Sequence, residues 1–394
     1  MTTRPPVSDW ASDFDHVDPR WVENPFPIWD ELRRACPVAH TTRYHGVYFP
    51  SRYEDVRAVA YDTEHFSSRR IIVRENPPPR IPAPPITSDP PDHRPAKNLL
   101  LPAFTPDAIK RHEPRTREIC GRLIDRFIDA GRCDAAVDYA QELPPRIIAH
   151  MLGLPDDEGD RFRTWIHEVL EVGITELPVL MRALGEMGAY FSAEAEKRRA
   201  APSDDLISYL VNARIDGRPL GEDHLIGTLR LVLIAGIDTT WSAIGACLWH
   251  LARQAEDRAR LARDPALIPS AVEEFLRAYA PVTMAREVIK DTSINGRPVK
   301  AGEMVLLSFP AANRDPAVFP DADRVVIDRA ENRHAAFGLG IHRCIGSNLA
   351  RMEITVALQE WLKRIPDFTL DPSATVTWSE GTVRGPRKVP VLFG

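Results

Sequence analysis

A glycine-rich loop with one cysteine, FGLGIHRCIG at residues 337–346, carries the residue types best suited to chemistry. Cys344 precedes a helical pattern, and the free N–H groups at the start of a helix carry partial positive charge that stabilises a thiolate. Gly338, Gly340 and Gly346 allow the backbone to approach a large flat cofactor without a side-chain clash. These features predict that Cys344 is the thiolate ligand of a haem iron.

Other interpretations of this loop are a buried structural cysteine, a dinucleotide-binding turn and a metal-binding pair. The letters GLGIHR begin like a GxGxxG motif, but Arg343 stands at the third glycine and no strand–turn–helix unit with a later acidic residue follows. His342 and Cys344 would need further ligands to hold a metal ion on their own, and this spacing supplies none. The structural cysteine stays open on the loop alone.

An acid and a base, Glu274 and Arg277, stand at helical spacing in the segment EFLR. Residues at i and i+3 share one face of a helix and can form an ion pair. An exposed pair would contribute little to stability, whereas a buried pair is strongly destabilised when one partner is lost. The apolar neighbours Val272, Phe275 and Leu276 favour burial, so we expect a structural role.

The segment AGIDTT at residues 235–240 places an acid and two hydroxyl groups inside the most apolar stretch of the sequence. A threonine within a helix can donate to a carbonyl of the preceding turn, and Gly236 eases the resulting bend. A buried Asp238 is costly unless it is hydrogen-bonded. The segment is therefore either a kink stabilised by local hydroxyl groups or a functional pair, Asp238 and Thr239.

In this order along the chain, the motifs resemble those of the cytochrome P450 superfamily, in the soluble bacterial form that includes camphor hydroxylases. The family loop Phe-x-x-Gly-x-x-x-Cys-x-Gly is matched at every fixed position by Phe337, Gly340, Cys344 and Gly346. The family motif ExxR is matched by residues 274–277. The resemblance implies haem b as cofactor and dioxygen as co-substrate, with one oxygen atom inserted into an organic molecule by hydroxylation or dealkylation.

The resemblance also implies the role of each matching residue. Cys344 would be the only protein ligand of the metal, and Asp238 and Thr239 would deliver protons to dioxygen. Three residues would hold the segment that leads into the cysteine loop, namely Glu274, Arg277 and Arg329.

Residues 89–97, DPPDHRPAK, resemble the family segment DPPxHxxxR, whose histidine and arginine bind the haem propionates. His93 matches, but Lys97 stands at the arginine, and a lysine pairs with a carboxylate only as a point charge. Arg94 is an alternative partner for the propionate. The residues that the resemblance assigns to the cofactor are His93, Lys97, Arg286, Phe337, His342, Cys344 and Gly346.

The substrate pocket implied by the resemblance is chiefly apolar, which favours a small to medium hydrophobic molecule. The motif IPDF at residues 365–368 and the compact length of the chain are similar to those of camphor hydroxylases. This similarity suggests a terpene-like or aromatic substrate. The residues expected to line the pocket are Ile86, Leu231, Ala235, Val282, Thr283, Met284, Thr382 and Val383.

The predicted architecture is α+β, mostly α-helical, with small β-sheets at the periphery, and residues 1–394 are expected to form a single P450 haem domain. Asn295-Gly296 is a strong hairpin signal within a region of short strands at residues 284–308. The Pro-rich residues 74–95 are either a flexible linker or, as we favour, an ordered loop lying on the core. Long helices are expected at residues 107–130, 160–171, 177–199 and 222–254.

Composition limits the compartment and the partners. A formal net charge of −6 argues against a nucleic-acid surface. Five scattered cysteines without a CxxC pair, and an N-terminus without a signal-peptide pattern, indicate a reducing cytoplasm. The apolar residues 231–251 contain Asp238, which would be costly in a bilayer, so a buried helix is favoured over a membrane span.

Residues 345–394 contain no flavin or iron–sulfur module, so the resemblance implies that electrons come from a separate ferredoxin and its NAD(P)H-dependent reductase. Arg343 is a candidate contact for the ferredoxin, and a monomer is expected. Two rival functions are a peroxide-driven peroxygenase and a haem-based sensor. Asp238 and Thr239 argue against the first, and the lack of an output module argues against the second.

Overall fold

The computed structural model describes residues 5–379 and 381–394. Helices and short strands alternate along the chain. The α-helices are α1 Pro19–Glu23, α2 Phe26–Ala35, α3 Tyr53–Tyr61, α4 His93–Leu100, α5 Pro106–Lys110, α6 Glu113–Asp125, α7 Leu143–Met151, α8 Glu158–His167, α9 Gly173–Thr175, α10 Leu177–Ala200, α11 Leu206–Asn212, α12 Glu222–Arg253, α13 Ala255–Arg263, α14 Ile268–Ala278, α15 Phe309–Ala312 and α16 Ser347–Arg364.

Single turns of 3-10 or π helix extend or connect several of these elements, at Arg43–His45, Leu101–Phe104, Ile128–Ala130, Ala135–Ala140, Glu168–Val172, Pro265–Leu267 and Gly340–His342. The strands are β1 Val38–Thr41, β2 Val47–Pro50, β3 Phe66–Ser67, β4 Arg132–Asp134, β5 Arg214–Ile215, β6 Arg218–Pro219, β7 Thr283–Val288, β8 Thr292–Ile294, β9 Arg297–Val299, β10 Met304–Ser308, β11 Thr369–Leu370, β12 Thr377–Trp378, β13 Pro386–Lys388 and β14 Pro390–Leu392.

The strands form small sheets, as predicted. The largest has the order β1-β2-β10-β7-β3, in which β2 and β10 are parallel and the other neighbours antiparallel. A second sheet, β11-β14-β4, joins the end of the chain to residues 132–134. The predicted hairpin turn connects β8 and β9, with Asn295 and Gly296 at φ of 49° and 77°. Positive φ at both central residues is the geometry of a type I′ turn.

The long helix α12 lies at the centre of the largest hydrophobic cluster. By length and composition it could cross a membrane, but 72% of its most apolar window is buried inside the fold. A helix that is apolar on nearly all sides is satisfied by such burial. The prediction of a buried central helix is confirmed.

The Pro-rich segment is an ordered loop that lies against α12, as favoured. Thr228 Oγ1 donates to the carbonyl of Pro84 at 3.2 Å. A Cβ at Gly227 would lie 2.5 Å from the carbonyl oxygen of Pro82, so glycine is required for this close approach. The interpretation of residues 74–95 as a flexible linker is therefore wrong.

One predicted helix is divided. Residues 107–130 form α5, α6 and a 3-10 turn instead of one continuous helix. Pro114 lies at the start of α6 and has no N–H to donate to the preceding turn, so a new helix begins there. The helix predicted at residues 160–171 begins at Glu158, and its last residues form the π turn Glu168–Val172.

Candidate active site

The cysteine loop is a tight backbone structure that ends at the first turn of α16. The N–H of Cys344 donates to the carbonyl of Phe337 at 2.7 Å and closes the loop. Gly338 and Gly340 have φ of 71° and 67°, which side chains rarely adopt. A Cβ at Gly340 would also collide with the carbonyl of Ala60 at the end of α3. The glycines are therefore required by the shape of the loop.

The sulfur of Cys344 lies deep in the protein but faces open space. Its side chain is exposed, while burial among surrounding atoms raises the pKa of the thiol. The N–H of Gly346 and the charges of Lys97 and Arg343 oppose this effect. An exposed sulfur at such depth means that the loop borders an internal cavity. A cation bound at the sulfur would favour the thiolate outright.

Lys97, on α4, contacts the cysteine loop directly. Its ammonium group donates to the carbonyls of Ile341 at 2.6 Å and Arg343 at 2.9 Å. Arg94, the alternative partner for a propionate, is exposed. Two of the three N–H groups of Lys97 thus hold the loop, which the sequence did not suggest, and its assignment to a propionate stays a prediction.

A cluster of buried nitrogen donors lies beside the loop. The rings of His93 and His342 are 4.4 Å apart, and the buried Nε2 of His93 has no partner. Arg286 is 4% exposed, and its one hydrogen bond to a described residue runs to the carbonyl of Ala285. Burial lowers the pKa of Arg286 to about 10. Asp89 acts on Arg286 only through space, and a buried guanidinium without a paired acid is costly, so this cluster calls for an anionic partner.

The histidine at the loop is held neutral. His342 Nε2 lies 2.8 Å from Ser68 Oγ, and burial, together with Arg286 and His93, lowers its pKa to about 2. Within the described ranges no group of three His, Cys, Asp or Glu residues could hold a metal ion unaided. An accessible sulfur for an iron and buried donors for carboxylates are the two features that a haem needs, and the residues present fit that group.

Glu274 and Arg277 form a fully buried ion pair, as predicted. The guanidinium donates to both carboxylate oxygens at 2.8 Å, and Arg329 Nε donates to Oε2 at 3.0 Å. Asn332, which the sequence did not indicate, adds a fourth polar side chain at 3.1 Å. Despite burial, these donors keep the pKa of Glu274 below its usual value. The cluster ties α14 to residues 320–332, which lead into the cysteine loop.

A second carboxylate holds the loop from the same helix. Glu273 accepts from Arg351 at 2.6 and 2.9 Å, and it lies 3.1 Å from His334 Nε2. Arg351 also stacks over the ring of Phe337, with its Cζ 4.4 Å from the ring centroid. This network was missed because its members are far apart in the sequence. It gives Phe337 a packing role at the base of the loop.

The acid–hydroxyl pair lies in the middle of α12. Thr239 Oγ1 donates to the carbonyl of Ala235 at 2.8 Å, the predicted bond within the helix. Asp238 is 1% exposed, its Oδ1 accepts from Ser242 at 3.3 Å, and its Oδ2 has no partner. Burial raises the pKa of Asp238 to about 6, against the opposing charge of Arg387. The helix α12 continues through this point without a break. Because one oxygen of Asp238 has no hydrogen-bond partner, the local hydroxyl groups alone do not satisfy the acid.

Arg387, on β13, is the partner of Asp238 that the sequence did not reveal. Its terminal nitrogen lies 2.9 Å from Asp238 Oδ1, and its Nε lies 2.7 Å from Glu171 Oε1. The N–H groups do not point along these directions, so the contacts are ion pairs without aligned hydrogen bonds. Glu171 is in turn 3.3 Å from His167, whose side chain is exposed. A chain of charged groups thus connects the buried acid with the surface.

The predicted pocket residues occupy three neighbouring parts of the fold. Thr283 N–H donates to the carbonyl of Thr382 at 2.9 Å, and Val282 forms a β-bridge with Val383. Ala235 is exposed in the middle of the buried helix α12, which is consistent with a cavity there. Five members of the set are half-buried, namely Ile86, Leu231, Val282, Thr283 and Met284.

Comparison with known proteins agrees with this geometry. The family model "Cytochrome P450" matches residues 180–379. Mycinamicin IV hydroxylase/epoxidase of Micromonospora griseorubida is 36% identical over 93% of this chain and 94% of its own. Vitamin D(3) 25-hydroxylase of Pseudonocardia autotrophica is 35% identical over 94% of both.

Solved structures show the same fold. The crystal structure of CYP109E1 from Bacillus megaterium in complex with testosterone has a TM-score of 0.87 and 32% identity, covering 94% of this chain and 98% of that one. Sequence, fold and site thus lead to one assignment: the chain belongs to the cytochrome P450 family and is a haem-dependent monooxygenase that uses dioxygen.

Proposed function

We propose that residues 1–394 form one haem domain in which Cys344 ligates the iron. The observation that carries this proposal is the Cys344 sulfur, which is accessible although deeply placed and which faces the N–H of Gly346. His93, Arg286 and His342 would bind the propionates, because their side chains lie together beside the loop, the buried Nε2 of His93 has no partner, and no described acid is in contact with Arg286. Lys97 would act on the same side by holding the loop.

Haem b, when bound, supplies the redox chemistry that splits dioxygen and transfers one oxygen atom to an organic molecule. The protein residues manage the protons. Asp238, with a pKa of about 6, can hold or release a proton near neutral pH. The hydroxyl of Thr239, now bonded to the carbonyl of Ala235, is the group next to it that can turn toward the cavity and pass the proton on.

Arg387 would position Asp238 for this task. Its guanidinium reaches both Asp238 and Glu171, so the acid is connected with the exposed His167 through charged side chains. A guanidinium has no acceptor and keeps its protons, so Arg387 would orient Asp238 and balance its charge without itself carrying the proton.

The ligation is tested by the difference spectrum of the reduced protein with carbon monoxide. We expect a Soret band at the thiolate position in the parent protein and its loss in Cys344→Ser. Cys36→Ser, which alters a half-buried cysteine elsewhere, is the matched control and should keep the band. A parent spectrum typical of histidine ligation would refute the assignment of Cys344.

We also propose that the electrons come from a ferredoxin and its NAD(P)H-dependent reductase, and that the protein is a cytoplasmic monomer. Arg343 and Arg94 are exposed beside the cysteine loop and α4, where a negatively charged carrier could dock. Turnover should therefore require both added carriers. Steady turnover with NADH alone, or faster turnover with hydrogen peroxide than with dioxygen, would refute this part.

The proposed substrate is a small to medium hydrophobic molecule, which is hydroxylated or dealkylated. Support comes from the apolar residues of the pocket set, among them Ile86, Leu231 and Val282. The names of the relatives refer to mycinamicin IV, vitamin D3 and testosterone, which are all larger than a monoterpene. We therefore extend the expected class from terpenes and aromatics to polycyclic and macrocyclic molecules. Spin-state titrations with members of each class would rank them.

A further inference from the structure

Glu273 and Arg351 form a charge pair beside the cysteine loop, in addition to their role in holding it. Nε and one terminal nitrogen of Arg351 donate to the two carboxylate oxygens of Glu273 at 2.6 and 2.9 Å. Two parallel bonds of this kind fix the orientation of both groups. The positive charge of Arg351 therefore has a defined place, although both side chains are partly exposed.

The guanidinium of Arg351 also lies against the cysteine loop. Its Cζ is 4.4 Å from the centroid of the Phe337 ring. The carbonyl of Phe337 accepts the N–H of Cys344 at 2.7 Å, so a single residue connects the cation with the backbone of the proposed iron ligand. Burial raises the pKa of the Cys344 thiol, and the charge of Arg351 is among those that oppose this effect. The cation thus acts on the sulfur through space.

Glu273 supplies the matching negative charge and stays ionised near neutral pH. Burial disfavours the charged carboxylate, but Arg351 and His334 outweigh burial and lower the pKa of Glu273 to about 2. His334 Nδ1 accepts from the N–H of Ala336 at 3.2 Å, and its Nε2 lies 3.1 Å from Glu273. A neutral histidine ring makes both of these bonds. Arg351 is therefore the cation that balances Glu273.

The other cations that act on the sulfur are not compensated in this way. Lys97 donates to the carbonyls of Ile341 and Arg343, and within the described ranges no acid forms an ion pair with Lys97 or Arg343. Reduction of a metal centre adds one negative charge, so a nearby cation favours the reduced state and a nearby anion favours the oxidised state. Arg351 and Glu273 therefore act on the site with opposite signs.

We propose that the pair of Glu273 and Arg351 sets the reduction potential of the cysteine-bound haem, which Arg351 raises and Glu273 lowers. The proposal rests on the ligation by Cys344 proposed above and adds a means of control to that same site. Both are positioning residues, which act on the iron through the loop and through their charges. A purely structural role would not distinguish them, because the loss of either partner would loosen the loop in the same way.

The test is a spectroelectrochemical titration of the holoprotein between its ferric and ferrous states. Arg351→Gln removes the cation, so the ratio of ferrous to ferric protein at a fixed potential should fall by at least about threefold. Glu273→Gln removes the anion, so the same ratio should rise by at least about threefold. In the double variant the two changes cancel, and the ratio should return to within about twofold of the parent.

Two further variants separate charge from packing and from position. Arg351→Lys keeps the charge but loses the planar group that stacks on Phe337, and its ratio should stay close to that of the parent. Lys363→Gln is the matched control, because it removes an exposed cation about 18 Å further along α16. This control should leave the ratio unchanged.

Shifts in the same direction in the two single variants, or loss of the thiolate band in both, would overturn the proposal, because the pair would then only hold the loop. Equal shifts in Arg351→Gln and Lys363→Gln would overturn it as well. The carbon monoxide difference spectrum of the parent tests the ligation separately. A parent band typical of histidine ligation would refute the role of Cys344, whereas a thiolate band with unmoved potentials would refute only the role of the charge pair.

Discussion

At the scale of single residues, the least expected contact is between Asp238 and Arg387. A buried carboxyl group keeps a charge only if a cation or hydrogen bonds compensate its lost hydration. Here the cation lies 2.9 Å from one oxygen, while the second oxygen has no partner. The carboxyl group is therefore compensated at one oxygen only, in agreement with its pKa, which burial raises to about 6.

The raised pKa of Asp238 gives a stability prediction for Asp238→Asn. The folded pKa, about 6, lies above the ordinary value of 3.8, so the folded protein binds this proton more tightly than the unfolded chain. The contribution of Asp238 to stability therefore falls as pH rises toward 6 and stays low above it. Between about pH 5 and about pH 8, the free energy of unfolding should change in favour of the variant by about 1 kcal/mol relative to the parent.

The same variant should lose activity. Product formation from dioxygen should fall by about 10²-fold, because an amide cannot transfer the proton. Urea unfolding at both pH values and product assays measure the two effects, with Asp204→Asn, an exposed aspartate, as the control. An identical pH dependence of stability in the parent and in Asp238→Asn would contradict a raised pKa of the buried Asp238 carboxyl group.

Replacing Arg387 by Gln should move the pH profile of turnover. Arg387 lowers the pKa of Asp238, so its removal should raise that pKa above about 6. Steps that need the ionised acid would then require a higher pH, and those that need the protonated acid would extend to a higher pH. The profile of turnover against pH should therefore shift upward. An unchanged profile with reduced rate would indicate that Arg387 has only a packing role.

At the scale of elements, the active site depends on connections between helices and irregular loops. Glu274 on α14 is bound to Arg277, Arg329 and Asn332, and the neighbouring Glu273 binds Arg351 on α16. These two carboxylates hold residues 320–337 as they pass toward Cys344. The loop is thus positioned by charged side chains of one helix.

Glu274→Gln should be strongly destabilising, because it leaves Arg277 and Arg329 buried without their counter-charge. We expect a loss of about 3–5 kcal/mol in the free energy of unfolding, together with a lower haem content. The neighbouring Glu273→Gln is the matched control. Its carboxylate is 32% exposed, so its loss should cost less. Chemical unfolding measures the stability of each variant, and haem absorbance measures its haem content. Equal losses in the two variants would refute the prediction that the more buried carboxylate contributes more to stability.

The sequence predicted those parts of the site that depend on local chemistry. The cysteine loop, the bond from Thr239 to Ala235 and the turn at Asn295-Gly296 all follow from residue types at short spacing. The roles of Arg387 and Asn332 could not be predicted, because their partners are distant in the sequence. No local pattern distinguishes Arg387 from the other arginines of the chain. The division of residues 107–130 into α5 and α6 depended on Pro114, whose effect the apolar periodicity concealed.

At the scale of the whole molecule, the net charge of −6 contrasts with a local group of cations near the cysteine loop. Arg343 and Arg94 are exposed there, and Lys97 lies beneath them with its charge near the sulfur. A negatively charged electron carrier would be repelled by much of the protein and attracted by this face.

Arg343→Glu should therefore slow electron transfer from the ferredoxin. We expect the second-order rate of reduction at low ionic strength to fall by about tenfold, with a smaller effect at high salt because of screening. Arg80→Glu, an exposed arginine in the Pro-rich loop, is the control and should leave the rate nearly unchanged. Stopped-flow reduction at several salt concentrations provides the measurement. Equal effects of the two substitutions would exclude the cysteine-loop face as the docking site.

The pairing of β4 with β14 has a consequence for how the protein is made. Residues 132–134 can pair only after residues 390–392 have been synthesised. Arg387, which contacts Asp238, lies just before this strand in the sequence. On a ribosome, the helices of the first half emerge well before the strand that completes them. Contacts so distant in sequence form slowly. The edge of β4 should therefore stay unpaired in the nascent chain until β14 has been synthesised, and the contact between Arg387 and Asp238 forms only after residue 387 has emerged.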